Sequence, residues 1–191
     1  MGRPIEFNPE EVLENAMRAF WEQGYCATSM ADLTSATNLK PGSLYAAFKS
    51  KQGLLLAALD HYGQRSRERL QQTLTEAASP LAGIRSYFQQ LTEVNPATNQ
   101  SCFLVNTVLE LARKDEAIRS HINRHFDEIE LLFREALHNA QQAGELSAEK
   151  DPDALAAFLM SNIWGLRVLL GTAPSKQRLK SVVDQLLEQL K

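Results

Sequence analysis

The sequence has few cysteines, little net charge and almost no stretch with the alternation of a β-strand. Its two cysteines, Cys26 and Cys102, are too few for a disulfide framework in a chain of 191 residues, which favours a reducing compartment. The formal net charge of -3 excludes a polycation, so any nucleic-acid site must be a local basic patch.

Long apolar runs and targeting segments are also scarce. The N-terminal segment MGRPIEFNPEE lacks the apolar stretch of a signal peptide. The longest near-apolar run, ALAAFLMSNIWGLRVLLG, is interrupted by Ser161, Asn162 and Arg167, which favours a buried helix over a membrane span. We therefore expect a cytoplasmic protein without a membrane partner.

Helical periodicity extends along the whole chain and is interrupted by proline, glycine and asparagine. It predicts an all-α protein of about nine helices, with turn residues separating them. These turns divide the chain into an N-terminal three-helix unit over residues 1–50, a connecting helix over residues 51–78 and a larger helical domain over residues 79–191.

Two short helices follow one another in the segment TSMADLTSATNLKPGSLYAAF. Ser29 and Asp32 form a start resembling a capping box for the first, and Asn38 suits the left-handed conformation of a tight turn. The second begins at Lys40 or Pro41, because proline fits the first turn of a helix. Two short helices joined by so brief a turn indicate a helix-turn-helix unit.

The second short helix has the features of an anion site at its beginning. Lys40 occupies the N-cap position without a side-chain acceptor, which leaves the N–H groups of Gly42 and Ser43 free for a partner. Residues 33–59 contain no Asp or Glu but include three lysines, Lys40, Lys49 and Lys51. This local positive patch predicts contact with the phosphates of DNA.

The stretch GYCATSMADLTSATNLKPGSLYAAFKSKQGLLLAAL resembles the DNA-binding domain of the TetR family of bacterial transcriptional regulators. The matching elements are Gly24-Tyr25, Thr28-Ser29, Leu33, Gly42-Ser43-Leu44-Tyr45, Phe48 and Lys49-Ser50-Lys51. The resemblance implies a homodimer that represses transcription from a palindromic double-stranded DNA operator and is released by a small-molecule inducer. It implies no cofactor and no enzymatic activity.

The resemblance and the basic patch together predict the residues that contact DNA. These are Arg3, Thr28, Ser29, Lys40, Pro41, Gly42, Ser43, Tyr45, Lys49 and Lys51. The chain departs from the family pattern at Ala46 and Ala47, where larger side chains are usual, so thymine methyl groups and DNA shape are expected to contribute to specificity. This departure also leaves open a helical adaptor that binds protein instead of DNA.

The larger domain is expected to hold both the inducer and the dimer interface. Residues that can line a ligand pocket are Phe88, Phe103, Leu104, Val108, Phe126, Phe133 and Trp164. Apolar positions of the last two helices predict a dimer interface that comprises Leu155, Phe158, Leu159, Leu166, Leu179, Val182, Val183, Leu186 and Leu190. The alternative for these stripes is the core of a monomer.

Cys102 opens the apolar segment CFLVNTVLEL, which resembles a pattern seen in some family members. A thiol at a helix N-terminus is more reactive, so one alternative is a repressor in which Cys102 senses oxidants or electrophiles. The other alternative is a small buried hydrophobic side chain.

His121 and His125 have the i, i+4 spacing of two ligands on one helix face. We expect them on the solvent side of the helix, away from the stripe of Ile118, Ile122 and Ile129, and we predict no metal site. The sequence also contains no HExxH motif, no phosphate-binding glycine loop and no plausible catalytic triad, which excludes an enzyme.

Overall fold

The computed structural model describes residues 7–93 and 102–191, and this part of the chain consists of nine α-helices without a strand. The helices are α1 Pro9–Gln23, α2 Met30–Thr37, α3 Pro41–Phe48, α4 Lys51–Glu76, α5 Pro80–Thr92, α6 Phe103–Leu111, α7 Glu116–Gln142, α8 Pro152–Leu170 and α9 Lys176–Glu188. The predicted all-α class is confirmed. Arg3 and the loop over residues 95–101 lie outside the described residues.

The turn between α2 and α3 forms as the sequence predicts. The side chain of Ser29 accepts a hydrogen bond from the N–H of Asp32 at 3.1 Å, and Asp32 accepts one from the N–H of Ser29 at 2.8 Å. These reciprocal bonds complete a capping box. Asn38 ends α2 in the left-handed conformation, with φ 55° and ψ 26°, and α3 begins at Pro41.

The buried side chains form two hydrophobic clusters that share the long helices α4 and α7. The first cluster joins α1, α2 and α3 to the start of α4, to α6 and to Ile118 and Ile122 of α7. The second joins α5, α8 and α9 to the end of α4 and the rest of α7. Helix α6 therefore packs with the N-terminal unit, although it lies within the range predicted for the larger domain.

The apolar stripe of α9 faces the core of its own chain. Leu179, Val183, Leu186 and Leu190 are buried in the second cluster, as are Leu159 and Leu166 of α8. The prediction that these six side chains contact a second subunit is wrong, because their surfaces are already covered within one chain. Leu155 packs partly against the same cluster.

Helix α8 presents large apolar side chains on its outer face. Phe158, Trp164 and Val168 are exposed, and Val182 of α9 is exposed as well. Helix α8 is long and apolar enough to span a membrane, but the core helices of water-soluble proteins often are as well.

Candidate nucleic-acid interface and ligand site

Helix α3 is anchored by one apolar side chain and exposes most of the others. Leu44 is buried in the first cluster, whereas Pro41, Gly42, Ala46 and Tyr45 are exposed. Tyr45 is 48% exposed although it is a large aromatic residue. An exposed aromatic ring beside exposed small residues gives α3 a surface that a partner can approach closely.

The N-terminus of α3 has no side-chain cap. Lys40 adopts the extended backbone of an N-cap residue, with φ -68° and ψ 149°, and its side chain makes no capping hydrogen bond. The N–H of Ser43 donates to the carbonyl of Lys40 at 2.9 Å, so the expectation that Ser43 leaves its N–H free is wrong. The N–H of Gly42 has no acceptor among the described residues, and a Cβ on Gly42 would meet nothing within 4 Å.

Thr28 serves the fold rather than the surface. Its side chain is fully buried, and its hydroxyl donates to the carbonyl of Gly24 at 2.6 Å. The prediction that Thr28 contacts phosphate is therefore wrong. The hydroxyl of Ser29 donates to Asp32 at 2.6 Å, and the hydrogen bonds from Ser29 lower the pKa of Asp32 below its ordinary value.

The lysines at the far end of α3 make local contacts. Lys49 has a positive φ of 68°, and its Nζ donates to the carbonyl of Ala46 at 2.9 Å. Nζ of Lys51 lies 4.3 Å from the centre of the Tyr25 ring, in a cation–π contact. Both positive charges thus lie next to the end of α3, within residues 33–59, which contain no Asp or Glu.

Glu110 connects α6 to the turn that follows α1. Its carboxylate accepts hydrogen bonds from the N–H groups of Tyr25 at 2.9 Å and Cys26 at 2.7 Å. Desolvation opposes ionisation of Glu110, but these two N–H groups outweigh it and hold its pKa below the ordinary value. We refer to this contact as the Glu110 latch. The sequence offered no signal for it, because 84 residues separate Glu110 from Cys26.

A polar cluster that the sequence did not predict lies between α4, α5, α6 and α8. The hydroxyl of Tyr62 donates to Sγ of Cys102 at 3.5 Å. Burial raises the pKa of Tyr62 and of Tyr87, and the nearby Arg167 opposes that rise in both. Desolvation lowers the pKa of Arg167, but Tyr62, Tyr87 and Cys102 outweigh this effect and raise its pKa above the ordinary value. We name Tyr62, Tyr87, Cys102 and Arg167 the arginine cluster.

Arg167 forms no ion pair with a carboxylate anywhere in residues 7–93 and 102–191. Arg167 is half-buried, and a partly desolvated guanidinium without an acidic partner is unusual. The sequence contains a signal for this cluster, because Arg167 is the one charged residue within the apolar run ALAAFLMSNIWGLRVLLG.

The seven residues predicted to line one pocket do not lie around a single cavity. Phe103, Leu104 and Val108 pack in the first cluster, and Phe88 and Phe133 pack in the second. Phe126 contacts both clusters, and its ring lies 4.9 Å from the Trp164 ring on the exposed side of α8. A groove of about 560 Å³ along α4 and α7 is lined by none of the seven.

The two histidines of α7 are not on its solvent side. His125 is 6% exposed and His121 is half-buried, so the expectation that both face water is wrong. Along α7, His125 continues the buried series that includes Ile118, Ile122 and Ile129. The prediction of no metal site depended on that expectation and loses its support.

Two sequence models of one family match the chain. Residues 12–58 match the model described as bacterial regulatory proteins of the tetR family. Residues 80–186 match the model of the tetracyclin repressor-like C-terminal domain. Together these matches span both hydrophobic clusters.

Full-length relatives show the same similarity. The chain is 31% identical over 189 residues to the HTH-type transcriptional repressor ComR of Escherichia coli, covering 97% of this chain and 90% of ComR. It is 30% identical over 187 residues to the HTH-type transcriptional regulator YezE of Bacillus subtilis, covering 96% of each. A cysteine mutant of the regulator CifR, complexed with 26-base-pair double-strand operator DNA, has a TM-score of 0.88 at 31% identity over 100% of both chains.

Proposed function

The chain belongs to the TetR family of bacterial transcriptional regulators, and we propose that it is a homodimeric repressor that binds a palindromic DNA operator and is released by a small molecule. Its relatives are transcriptional regulators rather than enzymes. The cytoplasm, where operator DNA and inducer meet, is its place of action.

The exposed beginning of α3 is the observation that carries the DNA-binding proposal. The free N–H of Gly42, the dipole of α3 and the adjacent Lys40 together favour an anion at this point. Tyr45 stands exposed one turn further along. Phosphate contacts at the N-terminus of α3 position the helix in the major groove, where its exposed face meets base edges.

Selection of bound duplexes from a random DNA pool tests this function directly. We expect a palindromic sequence whose half-site spacing reports the distance between two α3 helices. Affinity for that sequence must fall as salt increases, because phosphate contacts release counterions. Lys40→Ala is expected to weaken binding and to reduce the salt slope by about one. Lys176→Ala removes an exposed lysine of α9 and is the matched control.

A helical adaptor is the function that the same experiment separates from repression. Recovery of no enriched DNA, or an affinity that salt does not change, would contradict DNA binding and favour the adaptor. Tyr45→Ala adds a second comparison, because an exposed aromatic side chain contributes little to the fold. An unchanged affinity of this variant would contradict the groove contact of α3.

The inducer binds at the arginine cluster in our proposal. Arg167 supplies a desolvated positive charge, and the hydroxyls of Tyr62 and Tyr87 supply hydrogen bonds beside it. A carboxylate or another small anion satisfies this set of groups, and the surrounding apolar side chains accommodate an apolar body. Arg167→Gln is expected to abolish release from the operator while operator affinity without inducer stays unchanged.

The route from the inducer to the DNA passes along α6. Cys102 is the N-cap residue of α6 within the arginine cluster, and Glu110 holds the turn after α1 from the other end of the same helix. A shift of α6 on ligand binding therefore displaces the N-terminal unit. Repression and release correspond to two positions of this helix, and the inducer favours the second.

Cys102 gives a second mode of release. Its thiol is free and buried, and it accepts a hydrogen bond from Tyr62 close to the Arg167 guanidinium. An electrophile or oxidant that modifies Cys102 would add volume and polarity at the start of α6. Cys102→Ser is expected to retain operator binding and to lose release by such reagents. Release that persists in Cys102→Ser contradicts this mode and leaves binding of a small anion at Arg167 as the proposed mode of release.

A further inference from the structure

Asp60 of α4 and two histidines of α7 converge on one point between the two longest helices. Nε2 of His121 lies 2.8 Å from Oδ1 of Asp60, and Nε2 of His125 lies 2.9 Å from the same oxygen. The three donor atoms all lie within 4.8 Å of one another. Two imidazole nitrogens and one carboxylate oxygen thus face a common centre.

The approach of α4 to α7 depends on Gly63. A Cβ at Gly63 would lie 2.5 Å from Nδ1 of His125 and 2.6 Å from its Cγ. Because glycine has no side chain, the His125 ring packs directly against the backbone of α4, three residues beyond Asp60. The fold therefore holds one of the two imidazoles in a fixed, buried position.

We infer that Asp60, His121 and His125 form a binding site for a divalent transition-metal ion such as Zn²⁺. Two imidazole nitrogens and a carboxylate are ligands that Zn²⁺ accepts, and they leave a fourth position for water. Tetrahedral coordination with bonds near 2.1 Å places the donor atoms about 3.4 Å apart. The separations of 2.8 and 2.9 Å from Asp60 reach this value when the Asp60 carboxylate, whose side chain is 48% exposed, moves outward by roughly 0.5 Å.

Glu128 provides the carboxylate that often accepts a hydrogen bond from the second ring nitrogen of a metal-bound histidine. Its Oε2 lies 3.7 Å from Nδ1 of His125. That nitrogen is buried, and no hydrogen-bond partner for it exists among the described residues. When Nε2 of His125 binds metal, the proton of the ring resides on Nδ1. A small rotation of the Glu128 side chain then brings its carboxylate within hydrogen-bond distance of that N–H.

Arg124 competes for the same carboxylate. Its Nη2 lies 2.8 Å from Oδ1 of Asp60, so in the metal-free protein the guanidinium supplies the positive charge. The Arg124 side chain is 55% exposed and can turn into solvent when a metal displaces it. Removal of Arg124 must therefore strengthen metal binding. If the cluster instead only joins α4 to α7 by ion pairs, removal of Arg124 does not increase its affinity for metal.

Calorimetric titration of the chelator-treated, tag-free chain with Zn²⁺ tests the site without DNA. We expect one ion per chain, a loss of at least about tenfold in affinity for His121→Ala, and tighter binding for Arg124→Ala. His138→Ala removes an exposed histidine of α7 and should bind as wild type does. Cys26→Ser removes the exposed thiol and should also leave the affinity unchanged.

Two results overturn the site. The first is a His121→Ala protein that binds Zn²⁺ as tightly as wild type does, and the second is an Arg124→Ala protein with unchanged or weaker binding. His125→Gln, checked for an intact fold by circular dichroism, provides a second ligand variant and must also lose affinity. Failure of DNA binding would leave all of these measurements interpretable, because none of them involves an operator.

A regulatory role for this ion rests on the proposed function. Helix α4 packs on the N-terminal unit at its beginning and on α7 along its length, so a metal that ties Asp60 to α7 fixes the position of α4. Operator affinity with and without saturating Zn²⁺ measures that role, and His121→Ala must remove the difference. Equal affinities of the wild-type protein in both conditions would contradict the regulatory role.

Discussion

The carboxylate of Glu110 accepts a hydrogen bond from the backbone N–H of Tyr25 at 2.9 Å, which joins α6 to the turn after α1. The N–H of Cys26 donates to the same side chain at 2.7 Å. Gly24 precedes these donors with a φ of 80°, and a Cβ at that position would lie 3.2 Å from Oε2 of Glu110. The turn after α1 therefore fits closely against the Glu110 carboxylate, and the latch fixes this turn on α6.

Replacement of Glu110 by glutamine is expected to weaken the latch. Glutamine has one acceptor oxygen and no charge, so one of the two N–H groups loses its charge-assisted bond. We expect a loss of about 1 kcal/mol in unfolding free energy, at the low end for such bonds because Glu110 is partly exposed. Denaturant titration measures this loss, and amide hydrogen exchange at Tyr25 and Cys26 should accelerate.

Glu116→Gln is the matched control for this change. Its side chain is 84% exposed, and it pairs with Arg119 on the surface of α7. We expect a change of less than about 0.5 kcal/mol and no faster exchange at Tyr25. Equal exchange rates at Tyr25 in Glu110→Gln and wild type would contradict the latch.

The latch also predicts a dependence on pH. Glu110 has a lowered pKa in the folded chain, so its contribution is fully present above the ordinary value of 4.5 and is lost as pH falls through the folded value. The stability difference between wild type and Glu110→Gln should therefore be constant near neutral pH and should shrink in acid. A difference that stays constant down to pH values well below 4.5 would contradict the shift.

Local signals made the N-terminal unit predictable, whereas contacts between distant segments did not. The capping box of Ser29 and the left-handed turn at Asn38 depend on residues within a few positions, and both appear as the sequence indicates. The role of Thr28 does not follow from its residue type, because its hydroxyl donates to the carbonyl of Gly24 across a turn. The Glu110 latch and the convergence on Asp60 join helices that are far apart in sequence, so no local pattern encodes them.

Apolar periodicity identifies a buried face but does not say what covers it. The stripe on α9 has the spacing expected for a dimer interface, yet the same spacing suits the core of one chain, which is where Leu179 and Leu186 lie. On α8 the apolar side chains surround the helix. Leu159 and Leu166 are covered by the second cluster, which leaves the opposite apolar face exposed for a partner.

Gly42→Ala is expected to weaken operator binding without a cost in stability. A Cβ at this position meets no atom of the chain, and alanine favours a helix more than glycine does, so the unfolding free energy should stay equal or rise. The added methyl group stands where α3 approaches DNA and should lower affinity about tenfold, the effect of roughly 1.4 kcal/mol of overlap. Fluorescence anisotropy with the selected operator measures this, and an unchanged affinity would place the DNA elsewhere.

Gly63→Ala is expected to destabilise the fold. The new Cβ would overlap the ring of His125, which is buried and cannot move far. Overlap of this kind costs about 1–3 kcal/mol, which exceeds the gain of about 1 kcal/mol in helix propensity. Gly42→Ala is the matched control, because it makes the same change in open space. Thermal unfolding compares the two variants, and equal stability would contradict the tight packing of α4 on α7.

Phe158→Asp is expected to dissociate the proposed homodimer. Phe158, Trp164 and Val168 form an exposed apolar face on α8, and a second copy of this face is the partner that a two-fold symmetric dimer requires. Because both subunits carry the substitution, Phe158→Asp introduces two unpaired charges into the interface, so the dissociation constant should rise by at least about a hundredfold. Leu131→Asp adds the same charge at an exposed leucine of α7 and is the matched control. Sedimentation velocity measures both variants, and a Phe158→Asp protein that remains as dimeric as Leu131→Asp would move the interface away from α8.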